Sequence, residues 1–236
     1  MLSTETHPIG VRFAAQVRRL QEIGAEFHGR GWSLATSSNY STVVNREPLQ
    51  LLLTASGKDK GRLGDGDFVL VNESGRSVEA DSPRPSAETL LHCVLARQPG
   101  VGAVLHTHSI WGTVLSEAFF PRGRLPIEGY EMLKGLAGVS THEYRAEIEI
   151  FENTQDIGSL ASIVESRLGD AARPSAPLED AEQPLRHGFL IRRHGLYTWG
   201  RDLEEARRQV EVLEFLFEVV GRTHGIAGLT GVSTSP

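Results

Sequence analysis

Short apolar runs alternate with stretches of helical periodicity along almost the whole chain, and this alternation limits the fold more than any other feature. Leu49 to Thr54 is a continuous apolar run, and Asp67 to Asn72 and Gly102 to His106 are similar, each the length of a buried strand. Tyr40 to Val44 has β-branched character, Glu147 to Phe151 alternates charged and apolar residues, and Phe189 to Arg192 and Leu196 to Trp199 flank His194-Gly195. Between these strands, Val11 to Arg30 carries Phe13, Val17, Leu20 and Phe27 at helical spacing. A second helix is expected from Ser86, as its N-cap, through Leu90, Leu91, Val94 and Leu95, with others over Trp111 to Ala118 and Ile157 to Leu168. Asp202 and Glu205 form a capping box for the last helix, in which Leu203, Ala206, Val210, Leu213, Phe217 and Val220 step by three and four. Interleaved strands and helices with no break in composition predict one α/β domain over residues 1–236. Residues 1–10 and 222–236 are expected to be flexible tails, and 170–184, with three prolines, a loop.

Charge and cysteine usage narrow the function classes. The 24 Lys+Arg stand against 30 Asp+Glu, a formal charge of 24 − 30 = −6, so neither nucleic acid nor an anionic membrane is an expected partner. A single cysteine, Cys93, excludes an intrachain disulfide framework and a Cys-rich zinc module, and fits a reducing compartment. No apolar run reaches the roughly 18–20 residues of a membrane span, and Leu213 to Val220 is broken by Glu214 and Glu218. The start, MLSTETHPIG, has neither the basic end nor the apolar centre of a signal peptide, so a cytoplasmic location is expected.

Histidines carry the first chemical signal. In VLHTHS, His106 and His108 point to the same side if the string is extended, so both imidazoles can reach one metal ion. On spacing alone, two satisfied polar residues at a strand end are an equal alternative. His194, in IRRHGLYTWG, adds a third candidate ligand beside a glycine that permits an unusual backbone angle. Three histidines leave a fourth tetrahedral position open, as catalytic zinc sites do, although iron, cobalt or nickel would also fit. His7, His28, His92, His142, His187 and His224 read as ordinary polar positions.

Hydroxyls and carboxylates supply the second signal. ATSSNY at 35–40, TASGKDK at 54–60 and PSAE at 85–88 place short polar side chains beside free backbone N–H groups, the material of a phosphate cradle. The P-loop pattern is absent because Asp59 follows Lys58, and no GxGxxG follows a predicted strand, which leaves nucleotide and nicotinamide chemistry unsupported. Glu88 lies near a predicted helix start, where the dipole favours its ionised form. Glu131 lies in the apolar string PIEGYEMLKGL, where a raised pKa suited to proton transfer is expected.

In chain order, PSAET at Pro85 to Thr89, HTHS at His106 to Ser109 and RRHG at Arg192 to Gly195 resemble the class II aldolase/adducin family. GWSLATSSNYS, LLTASGKDKGRLG, YEMLKG, IFENTQDIGSLA and LIRRHGLYTWG extend the resemblance from about Val11 to Gly221 and are most similar to its dehydratases. The resemblance implies a three-layer α/β/α sandwich around a largely antiparallel sheet, assembled as a homotetramer with active sites at subunit interfaces. It implies one Zn2+ per subunit on His106, His108 and His194. Ser38, Asn39, Ser56, Gly57 and Ser86 fall where the family's aldolases hold the substrate phosphate. Glu131 matches the acid/base glutamate of the dehydratases; Glu88 matches that of the sugar-phosphate aldolases, where animal dehydratases carry cysteine. The implied substrate is a small phosphorylated ketose that loses water. The alternatives are an aldolase or epimerase reaction, disfavoured by Tyr130-Glu131-Met132, and a non-catalytic adducin-like interaction module, disfavoured by the three histidines.

Overall fold

The computed structural model describes residues 8–171 and 185–230. Helices α1 (Pro8–Arg12) and α2 (Ala14–Gly29) lead into strands β1 (Asn39–Arg46), β2 (Leu49–Thr54) and β3 (Phe68–Asn72). Then follow α3 (Thr89–Ala96), β4 (Ala103–Thr107), α4 (Ile110–Phe119), β5 (Arg124–Ile127), β6 (Ala146–Phe151) and α5 (Ile157–Ala171). The chain continues through β7 (Phe189–Ile191), β8 (Gly195–Gly200) and α6 (Leu203–Thr230). The eight strands of the described residues form one sheet in the order β3-β2-β1-β4-β8-β7-β6-β5. Every pairing is antiparallel except β6 with β7.

Strand alternation builds the layers. In β4, Ala103 and Leu105 face α2 and α6 together with Leu20, Phe27, Ala206 and Val210. Val104 faces the other way, into a cluster with Leu91 and Leu95 of α3 and Leu160 and Val164 of α5. Helices α4 and α6 cover β5 and β6 through Leu115, Phe119, Leu213 and Phe217. The result is the expected three-layer α/β/α sandwich, with α2, α4 and α6 on one face and α3 and α5 on the other.

The polypeptide departs from the sequence reading mainly at its punctuation. Residues 8–10, expected in a tail, belong to α1, and Ile9 is buried in the core. Gly221 does not end the last helix: α6 continues to Thr230. A Cβ at Gly221 would come within 2.3 Å of the Trp111 ring, so this glycine admits a close approach and is not a stop signal. Residues 170–171 close α5, and the remainder of the expected 170–184 loop, like 1–7 and 231–236, lies outside the described residues. The RLPI segment contains Pro126, which argues against a strand; as β5 it lies at the sheet edge, where a missing N–H is tolerated. Helix α3 starts at Thr89, three residues after Ser86. Ser86 Oγ accepts from the Glu88 N–H at 3.2 Å instead of capping the helix from its first turn.

Candidate metal centre

Strand register delivers the first ligand. Across β1, β4, β8 and β7, Asn39, His106, Tyr197 and Phe189 form one row of directly paired residues. Within that row His106 stacks on Tyr197 at 4.0 Å between centroids, and Tyr197 stacks on Phe189 at 5.1 Å. His106 Nδ1–H donates to the Leu196 carbonyl at 2.8 Å, which leaves Nε2 with its lone pair exposed to the site. That Nε2 is buried and has no hydrogen-bond partner among the described residues. His108 follows at the start of α4, whose N-cap Ser109 accepts from the Gly112 N–H at 2.9 Å.

His194 stands on the tight turn between β7 and β8, pinned to α4. The Thr113 hydroxyl donates to the His194 carbonyl at 3.1 Å, and the Arg193 N–H donates to Ser116 Oγ at 2.9 Å. The unusual backbone angle expected at Gly195 occurs at Arg193, with φ 54°. Gly195 is needed for another reason, since a Cβ there would stand 1.9 Å from the Thr107 carbonyl oxygen.

One donor atom each from Glu88, His106, His108 and His194 lies within 4.8 Å of all the others. His108 Nε2 and His194 Nε2 are 3.1 Å apart, and the Glu88 carboxylate lies 3.3 Å from His194 Nε2 and 3.5 Å from His106 Nε2. Burial and the neighbouring imidazoles push the His108 pKa down to about 2, and burial holds His106 well below the usual histidine range. Neutral imidazoles with converging lone pairs are metal ligands in their binding form. Three imidazole nitrogens, one of them the orphaned buried Nε2 of His106, and one carboxylate fit a divalent cation.

The expected phosphate residues meet the metal donors in one cavity. Ser38, Asn39, Ser56, Gly57 and Ser86 line a pocket of about 280 Å³ together with Glu88, His108 and His194. Ser38 holds φ 71°, a left-handed angle that costs a non-glycine residue about 1–3 kcal/mol and tends to cluster at functional sites. Two wider grooves, about 810 and 840 Å³, lie around Arg46 at the far end of β1 and contain none of these donors. The candidate donors therefore gather at the smaller cavity.

Two expectations about side chains change here. The Asn39 amide is not free to meet a phosphate, because its Nδ2 donates to Glu88 Oε2 at 2.7 Å and to Ser86 Oγ at 3.2 Å. Its Oδ1 accepts from His92. Glu131 does not have the apolar surroundings that its sequence neighbours imply. Its side chain is 71 % exposed, its carboxylate pairs with Lys134 and lies 3.5 Å from His142 Nδ1, and the Lys134 pairing holds its pKa down. It does not line the cavity of its own chain among the described residues. The sequence reading also missed His92, buried against Asn39 and Ser41, and Thr154 and Gln155, which form part of the cavity wall. For His92 there was a signal: it follows Glu88 by four residues, the spacing of one helix face.

Comparison with known proteins leads to the same fold and family. L-fuculose 1-phosphate aldolase superposes with a TM-score of 0.69 at 19 % identity, covering 90 % of this chain and 88 % of that one. L-fuculose-1-phosphate aldolase from Thermus thermophilus gives 0.65 at 21 %, covering 94 % and 98 %. The sequence is 46 % identical over 215 residues to methylthioribulose-1-phosphate dehydratase of Pseudomonas fluorescens, covering 91 % of this chain and 96 % of that protein. The corresponding dehydratase of Pseudomonas aeruginosa is 49 % identical over 203 residues, with 85 % and 91 % covered. The model of the class II aldolase and adducin N-terminal domain matches residues 18–220, a span that takes in every donor of the cavity, and the chain belongs to that family.

Proposed function

We propose that the protein is a hydro-lyase that converts 5-methylthioribulose 1-phosphate to 5-methylthio-2,3-dioxopentyl phosphate and water, a step of methionine salvage in the cytoplasm. The observation that carries this reading is the single cavity in which the Ser38, Ser56, Gly57 and Ser86 segments face Glu88, His108 and His194. Identity of 46–49 % to proteins named as this dehydratase supports the choice of substrate.

In this reading His106, His108 and His194 hold one Zn2+ per subunit, with Glu88 as a neighbouring carboxylate donor. A cation held there would supply Lewis-acid stabilisation for the negative charge that builds when the C3 proton leaves. Hydroxyls of Ser38, Ser56 and Ser86, and backbone at Gly57, bind the phosphate and fix the other end of the substrate, which contributes orientation. Asn39 serves the phosphate side indirectly, through Ser86. Glu131 takes the C3 proton and returns a proton to the departing C4 hydroxyl, so one carboxyl serves both steps and water leaves. The resulting enol tautomerises to the 2,3-diketone.

Exposure places a condition on that role. Glu131 and the adjacent Met132 point outward from their own chain, so the carboxylate reaches a cavity only across a subunit contact. A homotetramer with sites at its interfaces, as the family resemblance implies, is therefore part of the proposal. A small phosphorylated ketose is the only partner required besides the metal and further copies of the chain. Among the described residues no helix is long and apolar enough to cross a membrane.

One observation favours a second reading. Glu88, not Glu131, lies among the metal donors, which is the arrangement an aldolase using Glu88 for proton transfer would need. Incubation of the purified protein with methylthioribulose 1-phosphate separates the two. Diketone absorbance is expected, whereas dihydroxyacetone phosphate from C3–C4 cleavage would establish the aldolase.

A further inference from the structure

We propose that His92 is a positioning residue: through the Asn39 amide it fixes the Glu88 carboxylate at the metal donors and couples it to Ser86 in the phosphate pocket. The inference relies on the functional reading for the importance of Glu88 and for the phosphate role of Ser86.

The hydrogen bonds define their own direction. Asn39 Nδ2 donates to both Glu88 Oε2 at 2.7 Å and Ser86 Oγ at 3.2 Å, which turns the amide oxygen the other way. Asn39 Oδ1 therefore faces His92, and an amide oxygen requires a donor, which makes His92 Nε2 the protonated nitrogen. His92 Nδ1 is then the acceptor, filled by the Ser41 hydroxyl at 2.8 Å. Donation runs one way from Ser41 to His92, to Asn39 and to Glu88. His92 is fully buried, and burial lowers its pKa to about 4, so it remains neutral and keeps one donor and one acceptor.

This order has a purpose. An Asn side chain can turn its two ends around at little steric cost, and with the amide reversed an oxygen would face the carboxylate. The Ser41 hydroxyl can serve either ring tautomer, but only the Nε2–H form sets the NH2 of a reversed amide against another N–H, so that tautomer and the observed amide orientation support each other. Asn39 Nδ2 also reaches Ser86 Oγ at 3.2 Å, and Ser86 Oγ accepts from the Glu88 backbone N–H. The same amide thus supports the carboxylate beside the metal and a hydroxyl of the phosphate pocket.

The tautomer is open to direct measurement. In wild-type protein with ¹⁵N-labelled histidine and zinc bound, the His92 ring shifts should show the Nε2–H form; an Nδ1–H form would overturn the proposal. Cobalt(II) affinity of the metal-free protein gives a readout independent of any substrate. His92→Phe, which keeps the ring but loses the donor, should weaken it about 10–100-fold, the usual effect of losing a partner that orients a ligand. His92→Gln, which restores an N–H donor, should recover most of the loss. In a Glu88→Ala background His92→Phe should change cobalt affinity little, because the group it acts through is gone. An equal loss in both backgrounds would mean a general packing effect and would overturn the proposal. If these outcomes hold while methylthioribulose 1-phosphate is not dehydrated, the substrate assignment fails and the role of His92 stands.

Discussion

Gly195 backs directly onto the Thr107 carbonyl, leaving a Cβ only 1.9 Å from that oxygen. The contact joins the strand that carries His106 to the turn that carries His194, so the metal donors are set by backbone packing between β4 and β8. Gly195→Ala should force β8 away from β4 and cost at least the 1–3 kcal/mol typical of overpacking. The expected result is a lower Tm and substoichiometric metal. A variant with full zinc occupancy and unchanged Tm would show that the turn does not depend on this contact.

Metal content should be about one zinc per subunit, as a site built by three histidines implies. His106→Ala/His108→Ala protein should contain almost none by elemental analysis. His106 stacks on Tyr197, a member of the cluster beneath α3 and α5, so far-UV circular dichroism must show that the variant is folded before its metal content is read. Stoichiometric zinc in the double variant would remove the assignment.

Much of this arrangement is legible in the sequence because it depends on local pattern. The run Leu49–Thr54 is β2 with the expected boundaries, and the Asp202 cap of α6 is present, its Oδ1 accepting from the Glu205 N–H at 2.8 Å. What escapes depends on contacts distant in sequence. His92 lies 53 residues from Asn39, and its spacing of four from Glu88 is the one local feature that sets it apart from an ordinary core histidine. Glu131 misleads because its apolar neighbours do not share its face: Leu133 and Leu136 enter the cluster under α6 while the carboxylate points outward. Glu131–Gly135 form a single 3-10 turn, which sets neighbouring residues on opposite sides, and composition alone does not record that.

Ser56 should matter for binding more than for chemistry. It lines the cavity beside Gly57, and loss of one hydroxyl from a charge-assisted phosphate contact costs about 1.5–3 kcal/mol. Ser56→Ala is expected to raise KM, leave kcat within a small factor, and weaken competition by inorganic phosphate. An unchanged KM with unchanged phosphate inhibition would take Ser56 out of the site.

Glu214 should make stability depend on pH. It is buried on α6, accepts from Thr107 Oγ1 at 2.7 Å, and burial raises its pKa to about 7 from the usual 4.5. The folded chain then holds a proton that the unfolded chain has released between those values. The contribution of protonated Glu214 is complete below about pH 4.5 and is lost as pH rises through about 7, by on the order of 3 kcal/mol. Glu214→Gln keeps an acceptor for Thr107 and carries no charge at any pH. Denaturant unfolding should find the variant more stable than wild type at pH 8 and similar at pH 4.5. Parallel stability curves across that range would show that Glu214 is not protonated in the fold.

The two glutamates should separate the dehydratase from the aldolase. Lys134 pairs with the Glu131 carboxylate and holds its pKa down, so Glu131 is ionised at neutral pH and suited to accept a proton. Glu131→Gln keeps the shape and removes the base, and kcat should fall by about 10²–10⁴, the usual contribution of general acid–base catalysis. Glu88 lies among the donors, 3.3 Å from His194 Nε2, so Glu88→Gln should weaken metal binding and reduce turnover less once zinc is supplied in excess. Zinc content and oligomeric state must be measured for both variants, because a lost ligand or a broken subunit contact would imitate a lost base. Deuterium provides an independent reading. Wild-type enzyme in D2O should exchange the C3 hydrogen of recovered substrate, and the Glu131 variant should not. If Glu88→Gln is inactive with full zinc while Glu131→Gln retains wild-type turnover, the proton passes through Glu88 and the dehydratase assignment of Glu131 is wrong.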